Sequence, residues 1–279
     1  MGLLGFGIAD FLASYLSKST GYVKGMLWNT FFMFLYLLIL LYLFGTHIRL
    51  SALSPLTLVT IVGAAILHTF GGLSFYKGTR VGKLSILSPI ASTYSLVIIL
   101  LSLLFFNEGL SELNVLAIAL MILGTVFIST NLKEISNFKL VITDKSVPFG
   151  ILSMLLWGTG FMLISVLTKQ FGWLLATTYV TFVSLLILTL ITKIKERNFF
   201  PNGTKSYWLA ILLGLFSAMG YLGYSLGTET GFSSIVGPVV AAAPVVTVSL
   251  ALIFLREKTT KVQLFGIFMS VIGLVLLSI

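Results

Sequence analysis

Apolar residues run along this chain in long blocks, and the polar residues between them fall in short clusters. A helix that crosses a hydrocarbon layer of roughly 30 Å needs about 20 apolar residues. Ten stretches meet or approach that length, at about 3–17, 22–44, 55–76, 82–105, 112–130, 149–168, 172–193, 206–227, 232–254 and 261–279, the first being the shortest. The pattern predicts an all-α integral membrane protein with ten transmembrane helices.

The blocks also repeat. Residues 70–129 laid over 219–278 match at 17 of 60 positions, and most other pairs are apolar for apolar. The first spans correspond as well, with Gly7, Ser14 and Lys18 lying against Gly158, Ser165 and Lys169 at an offset of 151. The chain therefore divides into a first five-helix repeat at 1–130, a polar linker at 131–148 and a second repeat at 149–279. Five is odd, so two halves of one fold must sit in opposite orientations, with matched loops on opposite faces.

Charge tests that inversion. The loop after the third span carries Lys77, Arg80 and Lys83, while its counterpart carries no Lys or Arg. The loop NEGLSE has none, while its counterpart REKTTK holds Arg256, Lys258 and Lys261. Loops that follow odd-numbered spans hold 15 of the 17 basic residues, which makes those loops cytoplasmic and places both termini outside.

Composition narrows the function. The chain is 58% hydrophobic and 9% charged, with mean hydropathy +1.10, whereas a soluble domain carries about 25% charged residues. The formal charge of +9 is then a topology signal rather than a nucleic-acid surface. Zero cysteines exclude disulfides, thiolate metal sites and cysteine nucleophiles, and two isolated histidines argue against zinc. No cofactor, metal or nucleic acid is expected, and a monomer is.

The run LSILSPIASTYSLVIILLSLLFFNEGLSELNVLAIALMILGTVFIS and its counterpart SSIVGPVVAAAPVVTVSLALIFLREKTTKVQLFGIFMSVIGLVLLS resemble the EamA domain of the drug/metabolite transporter superfamily. In each, a Ser precedes a Pro by three to four residues, a Glu ends the helix, and the last helix closes on G-x-x-[LIV]. The resemblance implies a 5+5 inverted-repeat carrier in the cell membrane, with a central cavity between the halves and the fifth and tenth helices peripheral. It implies a small-molecule substrate (an amino acid, metabolite, nucleotide sugar or drug) exported or imported by alternating access. Family members are often described with cytoplasmic termini, opposite to the charge count, which is kept here.

Within that frame the segments GTRVGKLSILSP and GTETGFSSIVGP, 149 residues apart, look like one device: a tight Gly turn entering a proline-bent helix. Pro89 and Pro238 cannot donate to the carbonyls of Ser85 and Ser234, so they are either gating elements or packing features. Ser85, Ser88, Ser92 and Ser95 form one helical stripe, with Thr93 and Tyr94 beside it, where the second copy has Ser234, Gly237, Ala241 and Pro244. The stripe is expected to face the cavity, the alternative being hydroxyls that satisfy themselves on their own helix.

Ser217, Tyr221, Tyr224 and Thr228 share one face of the eighth span, and His68, Gly72 and Phe75 share one face of the third. A mid-membrane His is a functional candidate unless it merely bridges helices. Asn29, Trp157 and Tyr179 complete the expected substrate-binding set. Asp10, seven residues into a short span, is the candidate for proton coupling, as the acidic residue of the first helix is in the related small multidrug carriers, or else an interface residue. Lys77, ending the third helix, and Glu229 are expected at opposite mouths, and Glu108 and Glu257 as anchors at matched helix ends. Two other classes compete. A channel or scaffold needs a selectivity ring that the sequence does not display. A serine hydrolase would use Ser225 in the G-x-S-x-G stretch 223–227, which lies in an apolar helix.

Overall fold

The computed structural model describes residues 1–45, 54–82, 87, 90–128, 144–196, 198–201, 203–255 and 260–277. Ser85, Ser88, Pro89, Glu257 and most of the linker lie outside the described residues. All described secondary structure is helical: α1 (Gly2–Thr20), α2 (Tyr22–Leu43), α3 (Pro55–Val81), α4 (Tyr94–Phe106), α5 (Glu112–Ile128), α6 (Val147–Phe171), α7 (Trp173–Lys195), α8 (Thr204–Thr230), α9 (Ser233–Ala241), α10 (Pro244–Leu255) and α11 (Lys261–Leu277). α9 and α10 are two pieces of one span, which gives the ten spans of the sequence reading.

Helices are the forced solution, because lipid offers no partner to a backbone N–H or C=O. Their outer faces are apolar; Ile194 is 83% and Leu56 77% exposed in the isolated chain. Hydroxyls inside these helices close on their own backbone, as Thr168 does on the Ile164 carbonyl at 2.7 Å and Thr192 on Leu188 at 2.7 Å. Local rules set several starts. Ser54 caps α3 by accepting the Thr57 N–H at 3.2 Å, and Pro55 follows as its first residue, where its missing N–H costs nothing.

The two halves are related by inversion down to single contacts. A Cβ added to Gly7 of α1 would lie 2.8 Å from the Ala243 carbonyl, and one on Gly158 of α6 would lie 2.8 Å from the Tyr94 carbonyl. These are the same contact written twice, since 7 matches 158 and 94 matches 243. α5 and α11 pack on each other in the same way: a Cβ on Gly124 would meet the Gly266 carbonyl at 2.7 Å, and one on Gly273 the Ala117 carbonyl at 2.7 Å. The joints repeat too. α1 passes to α2 through Gly21 (φ 93, ψ 158), and α6 passes to α7 through the matched Gly172 (φ 82, ψ 164). That backbone region is accessible essentially only to glycine.

The repeated segment departs from the expectation in two ways. There is no tight turn at Gly78 or Gly227; α3 runs on to Val81 and α8 to Thr230, so Lys77 is not at the end of its helix. The two glycines instead admit the side chains of Leu87 and the matched Val236. The helix break also lies further along than the prolines. In the second half Pro238 sits inside α9, and the chain breaks at Ala242 (φ −74, ψ 7) before Pro244. In the first half the break is at the matched Thr93 (φ −72, ψ 7), although the position after it equivalent to Pro244 is Ser95. The break therefore belongs to the repeat and not to one proline.

Candidate substrate cavity

α1, α3, α6 and α8 cross at the centre, and their small residues decide what fits between them. Gly71 lies against the Trp157 indole and the matched Gly220 against the Phe6 ring, which lets both aromatic side chains turn inward. The result is a cavity of about 100 Å³. α1 supplies Phe6, Ala9, Asp10 and Ala13, one face at steps of three, one and three; α3 supplies His68, Gly72, Phe75 and Tyr76; α8 supplies Leu213, Ser217 and Tyr221 at steps of four. Met26 and Asn29 of α2 and Trp157 and Phe161 of α6 fill the remaining walls. Both helix breaks reach it, through Ala91, Ser92 and Tyr94 on one side and Ala241, Ala243 and Pro244 on the other.

Polar groups are arranged in two short chains. The Ser217 hydroxyl donates to Asn29 Oδ1 at 3.0 Å, and the Asn29 amide lies near the Tyr76 side chain. Tyr221 Oη and His68 Nδ1 are 3.1 Å apart. His68 is buried, and its Nε2 faces Gly160 without a partner among the described residues. Behind this pair lies a second cavity of about 50 Å³, lined by Thr30, Thr69, Thr181 and Ser184, so Asn29, His68 and Tyr221 form a partition between the two.

Rings fill most of the wall. Phe161 is the hub, stacked on Tyr94 at 5.2 Å and in contact with Phe6 at 5.8 Å, His68 at 4.6 Å and Tyr221 at 5.7 Å. Among the described residues, Asp10 is the sole charged residue lining the cavity. Its carboxyl has no hydrogen-bond or ion-pair partner among the described residues, and it lies within electrostatic reach of the hydroxyls of Tyr76, Tyr94 and Tyr221.

Of the residues singled out in the sequence, the fold brings Asp10, Asn29, His68, Ser92, Tyr94, Trp157, Ser217 and Tyr221 to one cavity. Tyr224 is elsewhere, fully buried, with its hydroxyl 2.7 Å from Ser165 and donating to the Phe161 carbonyl at 3.1 Å, an anchor between α6 and α8. Tyr179 packs edge-on against Phe171 at 5.7 Å. Ser95 and Pro238 border a small neighbouring void with Ser92. Lys77 Nζ lies 5.1 Å from the Phe149 ring centre on one face, and Glu229 accepts the Trp173 N–H at 3.1 Å on the other. Ser225 sits in α8 with its hydroxyl 2.8 Å from Thr177, without the strand-to-helix elbow a nucleophilic serine requires.

Tyr76, Phe6 and Phe161 were not expected as site residues, while Phe75 lies on the face expected to be shared with His68 and Gly72. Tyr76 continues the His68 and Gly72 face at a further step of four, the one signal that could have found it. Phe161 is the matched position of Asp10, so its inward direction follows once Asp10 is known to face the cavity.

At the terminal face, the side that carries both chain ends, the halves are clasped. α4 ends at Phe106, and Asn107 in the left-handed region (φ 50, ψ 37) turns the chain. Glu108 is thereby laid over the start of α9, accepting the Ser233 and Ser234 N–H groups at 2.9 Å each. Lys169 Nζ is 3.8 Å from the same carboxylate and 3.8 Å from the Phe106 ring centre.

The sequence matches the EamA-like transporter family over residues 1–130 and 144–279. An uncharacterised protein of Methanocaldococcus jannaschii is 30% identical over 139 residues, which cover 49% of this chain and 98% of that one, so nearly a whole relative corresponds to half of this protein. An uncharacterised transporter of Archaeoglobus fulgidus is 24% identical over 221 residues, 79% of this chain and 75% of its own. A crystal structure with 16% sequence identity superposes with a TM-score of 0.74 over 99% of this chain and 96% of that one, which shows a common fold. With ten helical spans in two inverted halves, this multi-pass protein of the cell membrane belongs to the EamA-like transporter family of the drug/metabolite transporter superfamily.

Proposed function

We propose that the protein is a secondary carrier that moves a small organic solute through the central cavity by alternating access. One observation carries the reading: the fourth and ninth spans break at matched residues, Thr93 and Ala242, with nearly identical backbone angles, and both breaks border the cavity. Because the halves are inverted, one hinge serves each face of the membrane. A solute held between them can be released to either side as one hinge opens and the other closes, which is the logic of a rocking inverted-repeat carrier. A single chain supplies both halves, so a monomer is sufficient.

Asp10 extends the proposal to coupling. An unpaired carboxyl at mid-membrane is costly to keep ionised and empty, so a proton or the solute occupies it in turn, giving exchange. The test is counterflow in proteoliposomes: unlabelled solute inside should accelerate uptake of labelled solute, and a pH gradient should drive uptake that Asp10→Asn abolishes. Large single-channel currents without trans-acceleration would replace the carrier with a channel.

A further inference from the structure

We infer that α9 is the gate of the terminal face and that the Glu108 carboxylate is the latch that holds it shut. The inference rests on the carrier reading and names the element that opens one side of the cavity. α9 has nine residues, a rod of about 13 Å, and its two ends meet different partners. The C-terminal end breaks at Ala242 and borders the cavity through Ala241, Ala243 and Pro244. The N-terminal end is held from the other half of the chain, since Glu108 accepts the Ser233 and Ser234 N–H groups across 125 and 126 residues of sequence. A rod pinned at the surface and broken beside the cavity turns about the break only when the pin is released.

Three features set this contact apart from an ordinary helix cap. First, a cap comes from the residue just before its helix, and Phe232, which holds that place, makes no side-chain cap bond. The acceptor comes instead from the loop after α4, so it is lost whenever α9 and α4 separate. Glu229 is the comparison at the same face: it accepts the Trp173 N–H at 3.1 Å, but donor and acceptor belong to one half. Second, the seam is incompletely satisfied. The Ser233 and Ser234 hydroxyls are buried without a hydrogen-bond partner among the described residues. Such hydroxyls are costly, and water entering an opened seam satisfies both of them and the carboxylate, which offsets the two lost N–H bonds. Closed and open states are thereby drawn close in free energy, as a switching element requires. Third, the seat is loose. α9 presents Gly237 to α4, where an added Cβ would lie 3.0 Å from Ile98, and a void of about 10 Å³ bordered by Ser95, Thr125 and Pro238 lies beside it. At Gly237 no side chain has to withdraw before α9 lifts away.

The chain has no cysteine, so a single introduced thiol reports alone. Ile98→Cys places one under α9, and Leu188→Cys, buried among Val23, Leu27 and Leu73, is the control for general loosening. The full-length protein in proteoliposomes is treated with a charged, membrane-impermeant maleimide added to the terminal face. Glu108→Ala should speed modification of Ile98→Cys at least tenfold and leave Leu188→Cys within twofold, which also shows that the variant is folded. Glu229→Gln should leave Ile98→Cys within twofold. An unchanged rate at Ile98→Cys in Glu108→Ala, an equal rise at Leu188→Cys, or an equal effect of Glu229→Gln would each overturn the inference. Labelling needs no solute, so the carrier reading is judged separately by counterflow. Counterflow with no change in Ile98→Cys labelling keeps the carrier and sinks the latch, while accelerated labelling without counterflow keeps the latch and sinks the carrier.

Discussion

Glu108→Ala should be among the most damaging single changes outside the cavity, and Lys169→Met, which removes the other half of the same ion pair, among the milder. Glu108 is 6% exposed and accepts two backbone N–H groups that begin α9. Losing a helix cap costs about 1 kcal/mol, up to about 2, and hydrogen bonds to a charged group contribute about 1.5–3 kcal/mol each before reorganisation. With two such bonds lost and both donors left buried, roughly 2–4 kcal/mol is expected. The Lys169 side chain is 38% exposed. Solvent screening therefore holds its ion pair to about 0–1 kcal/mol, and its contact with Phe106 adds roughly 0.5–1 kcal/mol. At roughly 2 °C per kcal/mol for a chain of this length, Glu108→Ala should lower the melting temperature in detergent by roughly 4–8 °C and Lys169→Met by roughly 1–4 °C. The clasp joins the first half to the second, so Glu108→Ala should also make a cysteine placed at Ser233 more reactive to a thiol reagent from the terminal face. Equal shifts for the two variants would show that the ion pair, and not the capping of α9, supplies the stability, and would refute the reasoning.

Gly172→Ala and Gly21→Ala should each cost about 1–3 kcal/mol, because the joints use a glycine-only region of the backbone; equal shifts in the two melting curves would match their equivalence in the repeat. Tyr224→Phe should cost about 1–3 kcal/mol by removing a fully buried hydroxyl from Ser165 and the Phe161 carbonyl, yet leave solute affinity within twofold, which binding measurements would check. Pro244→Ser should change stability by less than about 1 kcal/mol and preserve counterflow, since the first half makes the same break with Ser95 in that position.

Much of the fold was legible because it obeys period and length alone. Apolar runs delimit the spans, and the charge reversal between matched loops implies the inversion. Exact ends were not: α3 and α8 run past Lys77 and Gly227 because nothing in GTRVG or GTETG forbids a helix, and the glycines there serve packing against Leu87 and Val236. The position of the helix break was hidden for a related reason. A proline announces the loss of one hydrogen bond at its own position, while the observed break four residues on is settled by how α4 and α10 pack against Gly158 and Gly7. In the site, polar residues in apolar spans are conspicuous, so Asp10, Asn29, His68 and Ser217 could be found. The rings could not. Phe6 and Phe161 are indistinguishable in sequence from lipid-facing phenylalanines, and only the glycines opposite or beside them show that they turn inward.

The symmetry of the scaffold and the asymmetry of the cavity follow from different requirements. A carrier that opens to either face needs two conformations of nearly equal free energy, since a gap of more than a few kcal/mol would trap it on one side. Inverted close approaches such as Gly7 to the Ala243 carbonyl and Gly158 to the Tyr94 carbonyl, where an added Cβ would lie 2.8 Å away in each case, are the matched contacts on which such a balance would rest. The solute, however, is a single object with no such symmetry. Where the repeat lines the cavity, the matched positions diverge: Asp10 against Phe161, His68 against Ser217, Ser92 against Ala241. The acid and the ring at its matched position therefore line one cavity from the two halves, so the cavity is built by the pair and is not symmetric.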